Sequence, residues 1–466
     1  MKKNILITLL LLFSVSVFSQ EITGNWLGTL DIMGNKLRVG FNIEKTDTMY
    51  KTKMDSPDQG AFGLPTNKTS FANDTLKIDA SGLGISYIGT LQGDSISGTF
   101  VQSGLQLPLM LKKTEKPVLN RPQEPQPPFP YKTEEVVFQN KKAKIDLAGT
   151  LTLPDSAGTF PAVILVHGSG PQDRDETILG HKPFLVLADY LTQNGIAVFR
   201  YDKRGVGQSK GDFATALTTD FADDAAAAVA FLRTRNEIDK KRIGIIGHSE
   251  GGIIAPMVAA TDRNIAFIVL MAAPGIKGID IIMAQNENAM KLQNMEPKNV
   301  ETLQKINREM FEGLVDWQGT ETNRTILRDN LNRLWEKLPL LVKLKMNKDS
   351  YIRANFNAMI RPWYRNFLQL NPKTHLTKVS CPVFALNGEK DTQVNASDNL
   401  NAIKKALEKG KNYRYETKMY PNLNHLFQIC ETGEADEYGR IEQTISEEVL
   451  EDIGNWLKKI VASKRN

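Results

Sequence analysis

The stretch RIGIIGHSEGGIIAPMVAA, residues 242–260, packs three kinds of local structure into consecutive positions. Ile243, Ile245 and Ile246 form a short β-branched apolar run that suits a buried strand, and residues 253–260 suit a helix lying on a sheet. Between them stands Gly247-His248-Ser249-Glu250-Gly251, a G-x-S-x-G. Strand, forced turn and helix in that order put Ser249 on a strained turn at a strand end, with glycines that let strand and helix approach. Pro256 removes one backbone donor early in the helix and predicts a bend there.

A serine hydroxyl is a poor nucleophile without a base, so this turn asks for a histidine and an orienting acid. In an α/β sheet of this kind they follow the serine in the order acid, histidine. The chain has five histidines, and only His375 and His425 follow Ser249. Residues 381–387 (CPVFALN) read as an apolar strand, and Gly388-Glu389-Lys390-Asp391 as the loop at its C-terminal end. A histidine beyond that acid must be His425. His375 precedes the strand, on the opposite side of the sheet, which suits a surface or capping role. Asp391 is preferred to Glu389, which stands so close to the strand end that it should turn away.

Residues 162–166 (AVILV) read as a buried parallel strand followed by His167-Gly168-Ser169-Gly170-Pro171. A glycine-rich loop leaving a strand can face a nucleophile with a backbone donor, and an oxyanion hole needs two such donors. The N–H groups of Ser169 and Glu250 are the candidates. His167 reads as a structural histidine of this loop, and Arg174 with Asp173, Asp175 and Glu176 as a polar rim. Residues 202–209 (DKRGVGQS) lack the glycine spacing and lysine of a nucleotide loop and read as bracing for the site. Residues 220–233 read as an alanine-rich helix with acids in its first turn.

Between the strand at 265–271 and the one at 381–387 the chain inserts residues 275–376. Leu303, Ile306, Met310 and Leu314 keep helical spacing, and residues 323–346 offer a second long helix. Inserted there, they form a helical cap over the C-terminal ends of the strands, where open α/β sheets bind ligands. Six of the fourteen methionines lie in it and suit adaptable packing. Arg361 and Arg365, in RPWYR, either grip a substrate carboxylate or tie cap to core.

Residues 1–19 have a basic start, an apolar run and small residues at the end, the pattern of a secretory signal peptide too short for a membrane span. The expectation is an exported chain, periplasmic or extracellular. Losing Lys2 and Lys3 takes the formal charge from +5 to about +3, which points to no nucleic-acid or anionic-membrane partner. Cys381 and Cys430 belong to opposite ends of the sheet, too far apart for a bridge, so two free thiols are expected. No motif asks for a metal or cofactor.

Residues 20–112 are different in kind. Leu37, Val39, Phe41 and Ile43 alternate with polar or small residues, and similar strands recur with Gly, Asn and Asp between them. This predicts a small antiparallel all-β domain, sandwich or barrel. Trp26 and Tyr87 are candidate glycan-stacking residues, although alternating strands bury aromatics routinely. Six prolines between 117 and 130 mark residues 113–133 as an extended linker, and the catalytic domain runs over 134–466.

HGSGPQDRD (167–175), YDKRGVGQS (201–209), IGIIGHSEGG (243–252), RPWYRNFL (361–368), NGEKDTQV (387–394) and LNHLFQ (423–428) together resemble the α/β-hydrolase superfamily. Within it they resemble the EstD-like bacterial carboxylesterases, often grouped with serine aminopeptidase-type and prolyl-oligopeptidase-type hydrolases. The resemblance implies an α/β-hydrolase fold, a mostly parallel twisted sheet flanked by helices, from about residue 134 to 459. It also implies Ser249 as nucleophile, His425 as general base and Asp391 as its partner, hydrolysing carboxylic esters with short acyl groups and no cofactor. The expected rate rises with pH as the histidine base is freed, then levels off. The expected substrate is a small-molecule ester, with acylated carbohydrate and an oligomeric state left open. A secreted peptidase with the same residues, anchored by Arg361, Arg365 or Arg174, and a glycan-binding protein with an auxiliary hydrolase domain are the competing readings.

Overall fold

In a computed structural model the described residues are 21–462, apart from 33–34, 47–48, 58–60, 103–104, 116–119, 156, 293, 339–342 and 344–346. The expected leader, residues 1–19, lies outside them. The chain divides after Val118 into two units.

The first unit is built of β1 (Gly24–Ile32), β2 (Asn35–Thr46), β3 (Met49–Ser56), β4 (Ala61–Pro65), β5 (Lys68–Ala72), β6 (Thr75–Ala80), β7 (Ile85–Gln92), β8 (Ser95–Gln102) and β9 (Leu105–Thr114). All pair antiparallel in the order β2-β1-β9-β8-β7-β6-β5-β3-β4, and β2 also pairs with β3. That last pairing closes eight strands into a barrel, the barrel alternative of the sequence reading. Closure leaves an interior just wide enough for side chains. Trp26, Phe41, Tyr87 and Phe100 fill it, together with the alternating Val39 and Ile43. The polar tips of the two aromatics are satisfied inside. Trp26 Nε1 donates to Ile22 O at 2.7 Å, and Tyr87 Oη to Ile96 O at 3.0 Å and Leu109 O at 3.2 Å. Both residues are core and present no stacking face.

The second unit carries β10 (Tyr131–Asn140), β11 (Ile145–Pro154), β12 (Phe160–Val166), β13 (Ala197–Tyr201), β14 (Ile238–His248), β15 (Ile268–Met271), β16 (Val383–Gly388) and β17 (Tyr415–Tyr420). Their spatial order is β10-β11-β13-β12-β14-β15-β16-β17, with β10 and β11 antiparallel and the pairings from β13 to β17 parallel. The strand order reverses about β12, between β13 and β14. Strand side chains alternate between two cores: Ile243, Ile245, Ile164 and Val166 enter one, and Ile246, Val163 and Leu165 the other. Each such isoleucine or valine, fully removed from water, contributes roughly 1.5–3 kcal/mol.

Helices cover both faces. The second core is closed by α1 (Pro183–Gln193), and the first by α2 (Thr218–Leu232) and α3 (Gly251–Thr261). Inserted after β15 are α4 (Gly278–Leu292), α5 (Pro297–Val315), α6 (Glu321–Lys337), α7 (Lys348–Met359), α8 (Pro362–Gln369) and α9 (Lys373–Leu376). The predicted ridge of Leu303, Ile306, Met310 and Leu314 packs with Leu327, Leu331 and Phe356 into a core of its own. The expected helix over 323–346 stops at Lys337. Leu338 takes an extended conformation (φ −64°, ψ 147°) because Pro339 follows it. Residues 362–365 form the first turn of α8. Completing the chain are α10 (Ala396–Lys409) on the first face, the short α11 (Ala435–Tyr438) and α12 (Glu447–Ala462) on the second.

The proline-rich segment is seated on the second unit through Arg121 and Gln123. The Arg121 guanidinium donates to the carbonyls of Leu179, Gly180, Gly439 and Ile441, and the Gln123 amide bonds Thr444 and Ile445. Both cysteines are buried and neither forms a disulfide. Among the described residues no helix is long and apolar enough to cross a membrane.

Candidate active site

Ser249 follows β14 with φ 51°, a left-handed value that costs a non-glycine residue about 1–3 kcal/mol and persists only where packing enforces it. The glycines on either side explain how. A Cβ on Gly247 would lie 2.0 Å from the Gly251 carbonyl oxygen, and one on Gly251 would lie 2.0 Å from that of Val166. No side chain fits at either position. The Ser249 N–H donates to Met271 O at 2.9 Å, which pins the turn to the end of β15. The hydroxyl makes no hydrogen bond to a protein group among the described residues.

The loops after β16 and β17 bring together the two residues chosen from chain order. His425 Nδ1 lies 2.7 Å from Asp391 Oδ2, and both are buried. The other oxygen, Oδ1, accepts the N–H groups of Gln393 and Val394, each at 2.8 Å. A carboxylate so held leaves one defined oxygen for the imidazole. Asn424 shapes the neighbouring turn, its Oδ1 accepting from Leu426 and Gln428 N–H at 3.0 Å. Glu389 is exposed and accepts from the Asn422 N–H, away from the histidine. His375 sits in the last turn of α9, ahead of β16.

The loop after β12 lies against the serine: a Cβ on Gly168 would be 3.2 Å from Ser249 Cβ. Lys203, on the loop expected to brace the site, donates to Gly168 O at 2.6 Å and Gly170 O at 3.2 Å, the carbonyls flanking Ser169. It also pairs with Glu250 Oε2 at 3.1 Å. The other Glu250 oxygen accepts Thr218 Oγ1 and the indole N–H of Trp363, each at 2.7 Å. The residue after the serine therefore joins elbow, glycine loop and α8 through its side chain. Neither the Ser169 N–H nor the Glu250 N–H has a protein acceptor among the described residues. The Glu250 N–H additionally stands at the positive end of the α3 dipole. From α4, Gln285 and Asn288 donate to the carbonyls of Gln393 and Thr392, which ties the insertion to the Asp391 loop as well.

Two residues were missed by reading the sequence. His248 precedes Ser249, outside the chain order that selects the base, and Glu176 reads in the sequence as one of the rim acids. Both are buried. His248 Nδ1 lies 3.0 Å from Glu176 Oε1, and its Nε2 lies 3.0 Å from the His425 carbonyl oxygen. Glu176 Oε1 also accepts the Gly168 N–H at 2.5 Å. Burial pulls the His248 imidazole down, and the Glu176 carboxylate, the His425 carbonyl and Asp391 together pull it up, for a net rise; burial raises Glu176, and His248, His167 and the Gly168 N–H together bring it below its ordinary value. His167 is different. Its ring lies 5.4 Å from those of Phe184 and Tyr201, neither nitrogen has a protein partner, and burial holds it down at about 4. It is structural, as expected, but held by aromatic packing.

Arg174 is engaged rather than free: its guanidinium bonds Asp202, Thr150 and Glu135. Arg365 Nε donates to Ile360 O at 3.1 Å, inside the insertion, while Arg361 is exposed. A cavity of about 730 Å³ lies at the N-terminal ends of the strands, lined by Arg242, Phe267, Pro382 and Arg414. It contains none of Ser249, Asp391 and His425.

Residues 162–429 match the family model described as serine aminopeptidase, S33. The chain is 27% identical over 325 residues to Esterase EstD of Thermotoga maritima, covering 69% of this chain and 68% of that protein. It is 26% identical over 275 residues to an uncharacterized 31.7 kDa protein of Escherichia coli, covering 58% and 86%. The solved structure of a Pyrococcus furiosus esterase superposes with TM-score 0.44 at 18% identity, over 71% of this chain and 91% of that one. Since the matched segment spans more than half of the chain and runs from the glycine loop through the elbow to the loop of His425, the chain belongs to the serine aminopeptidase, S33, family of α/β-hydrolases and is EstD-like.

Proposed function

We propose that this protein is a serine carboxylesterase in which Ser249 is the nucleophile, His425 the general base and Asp391 its orienting partner. One observation carries the assignment. A strained serine at the end of β14 shares the C-terminal side of the sheet with a buried His425–Asp391 pair at 2.7 Å, in the chain order the fold uses.

Ser249 Oγ attacks the acyl carbon as its proton passes to His425 Nε2. The tetrahedral oxyanion is held by the N–H groups of Ser169 and Glu250. Collapse breaks the C–O bond to the alcohol, which leaves with the proton returned by His425. Water, deprotonated by the same imidazole, then releases the acid and frees Ser249. Asp391 keeps the proton of the neutral ring on Nδ1, so that Nε2 faces the serine as a base. The relative named an esterase supports the ester as substrate. Short acyl groups, an acylated carbohydrate as the natural alcohol, and export directed by residues 1–19 are parts of the same proposal.

The test sets a series of aryl esters of increasing acyl length, an acetylated oligosaccharide and an aminoacyl anilide before the wild type and Ser249→Ala. Serine-dependent cleavage of the short esters is expected, with the anilide at least about a hundredfold slower. Ser249→Ala turning over at the wild-type rate would remove the nucleophile. Faster anilide than ester cleavage would move the activity to the peptidases that the family description names. Cell fractionation with N-terminal sequencing tests export, and retention of residues 1–19 on a cytoplasmic protein counts against it.

A further inference from the structure

We propose that His248, as a buried imidazolium bonded on one side to the Glu176 carboxylate and on the other to the main-chain carbonyl of His425, is a positioning residue that locks the oxyanion loop to the loop of the general base. The proposal rests on the assignment of His425 as base, and concerns two residues that play no part in the mechanism above.

The protonation state follows from the partners. A carbonyl oxygen only accepts, so Nε2, 3.0 Å from His425 O, carries a proton. Nδ1 is 3.0 Å from Glu176 Oε1, an atom that already receives the Gly168 N–H. The proton shared by that contact goes to the stronger base, the imidazole, and the Gly168 N–H further favours the ionised carboxylate. Both ring nitrogens then donate. One side chain thereby fixes Gly168, one residue before the oxyanion donor Ser169, and His425, whose ring lies 4.9 Å from its own.

The surroundings make this an expensive arrangement to break. The space beside the pair is about 10 Å³, room for no more than a single water, and Phe184, Met271, Leu426 and Phe427 line it. A buried charge stripped of its counterion costs several kcal/mol. The other titratable groups about the pair are Asp391 and His425 on the loops after β16 and β17, His167 at the end of β12 and Lys203 after β13.

A pH dependence follows. Because the His248 pKa is raised in the folded protein, its contribution is complete below the unfolded value, about 6.5, and is lost as pH rises through the folded one. Deprotonation removes the donor to either Glu176 or His425 O. The rate should therefore fall on an alkaline limb, in place of the plateau expected for a lone base.

The experiment uses the full chain with 15N-labelled histidine and His248→Gln and Glu176→Gln variants. In the wild type at pH 7.5, one of the five rings should show both nitrogens protonated, and that signal should be absent in His248→Gln. Single substitutions of the other four histidines assign it by elimination if that variant does not fold. With a short aryl ester, His248→Gln should lower kcat by about 10²-fold with KM within about threefold, the scale of a misplaced catalytic group. Glu176→Gln should move the alkaline limb down by at least one pH unit. A His248 ring with one bare nitrogen at pH 7.5 overturns the proposal, and so do variants with wild-type kcat and pH profiles. Activity surviving in Ser249→Ala would instead overturn the reading it rests on, while leaving the nitrogen shifts to stand or fall by themselves.

Discussion

At the scale of the residue, Asp391 shows how much of a role is set by what holds the other atoms. Its Oδ1 is committed to two backbone N–H groups, so an asparagine there must turn its carbonyl oxygen toward Gln393 and Val394. The amide NH₂ then faces His425 Nδ1 and imposes the wrong tautomer, with the proton on Nε2. Asp391→Asn should lower kcat by about 10⁴-fold at nearly unchanged thermal stability, measured on an aryl ester and by circular dichroism. A loss below tenfold would place the orienting acid elsewhere. His167 poses the opposite problem, a base that must stay neutral. Its folded pKa of about 4 lies below the unfolded 6.5, so the unfolded state binds the extra proton and stability falls as pH drops across that window. His167→Phe keeps an aromatic ring against Phe184 and Tyr201 and should recover about 2 to 3 kcal/mol of the stability lost between pH 7 and 4.5, read from urea unfolding. Equal acid losses in the two proteins would contradict it. Ser249, Asp391 and His425, the proposed nucleophile, acid and base, could be picked from the sequence because the three follow one chain order and few histidines compete. His248 could not, because its partners are a glutamate 72 positions earlier and a main-chain carbonyl 177 positions later.

At the scale of the element, β12 and β14 were readable as unbroken apolar runs because each strand serves two cores at once. The α5 ridge was readable at helical period because one face of the helix serves one core. The insertion's attachment was invisible, since it depends on single side chains reaching across: Trp363 of α8 to Glu250, and Gln285 and Asn288 of α4 to the Asp391 loop. Trp363 matters most of these because its partner is a buried carboxylate that also pairs with Lys203. Trp363→Phe keeps the ring packed on Phe367 but removes the indole N–H. It should destabilise the second unit by about 1.5 to 3 kcal/mol, the worth of a hydrogen bond to a charged group. Cleavage by trypsin within residues 275–376 should quicken, and KM should rise more than kcat falls. Unchanged proteolysis would mean that apolar packing of Ile281 and Phe367 alone seats the insertion.

At the scale of the whole molecule, the change from alternating strands to a strand–helix pattern announced two units, and the prolines announced the join. Where the join ends was hidden, because six prolines describe stiffness and say nothing of what Arg121 and Gln123 bond. The barrel's interior is filled by its own aromatics, with Trp26 and Tyr87 satisfied inside, and this weakens the glycan-stacking reading on which a binding-led function relied. The esterase chemistry should then need only the second unit. A chain of residues 119–466 is expected to fold and keep kcat/KM for a short aryl ester within about threefold of the full protein. A chain beginning at Tyr131 loses Arg121, whose guanidinium serves four carbonyls, and Gln123, which serves Thr444 and Ile445. With about 1–3 kcal/mol for each buried group left unpaired, it should be less stable than the 119–466 chain by about 3 kcal/mol or more. Thermal unfolding of the two truncations side by side makes the comparison. Equal midpoints would reduce the seated segment to a passive strap, and a 119–466 chain that folds but has lost more than tenfold in kcat/KM would give the barrel a part in catalysis.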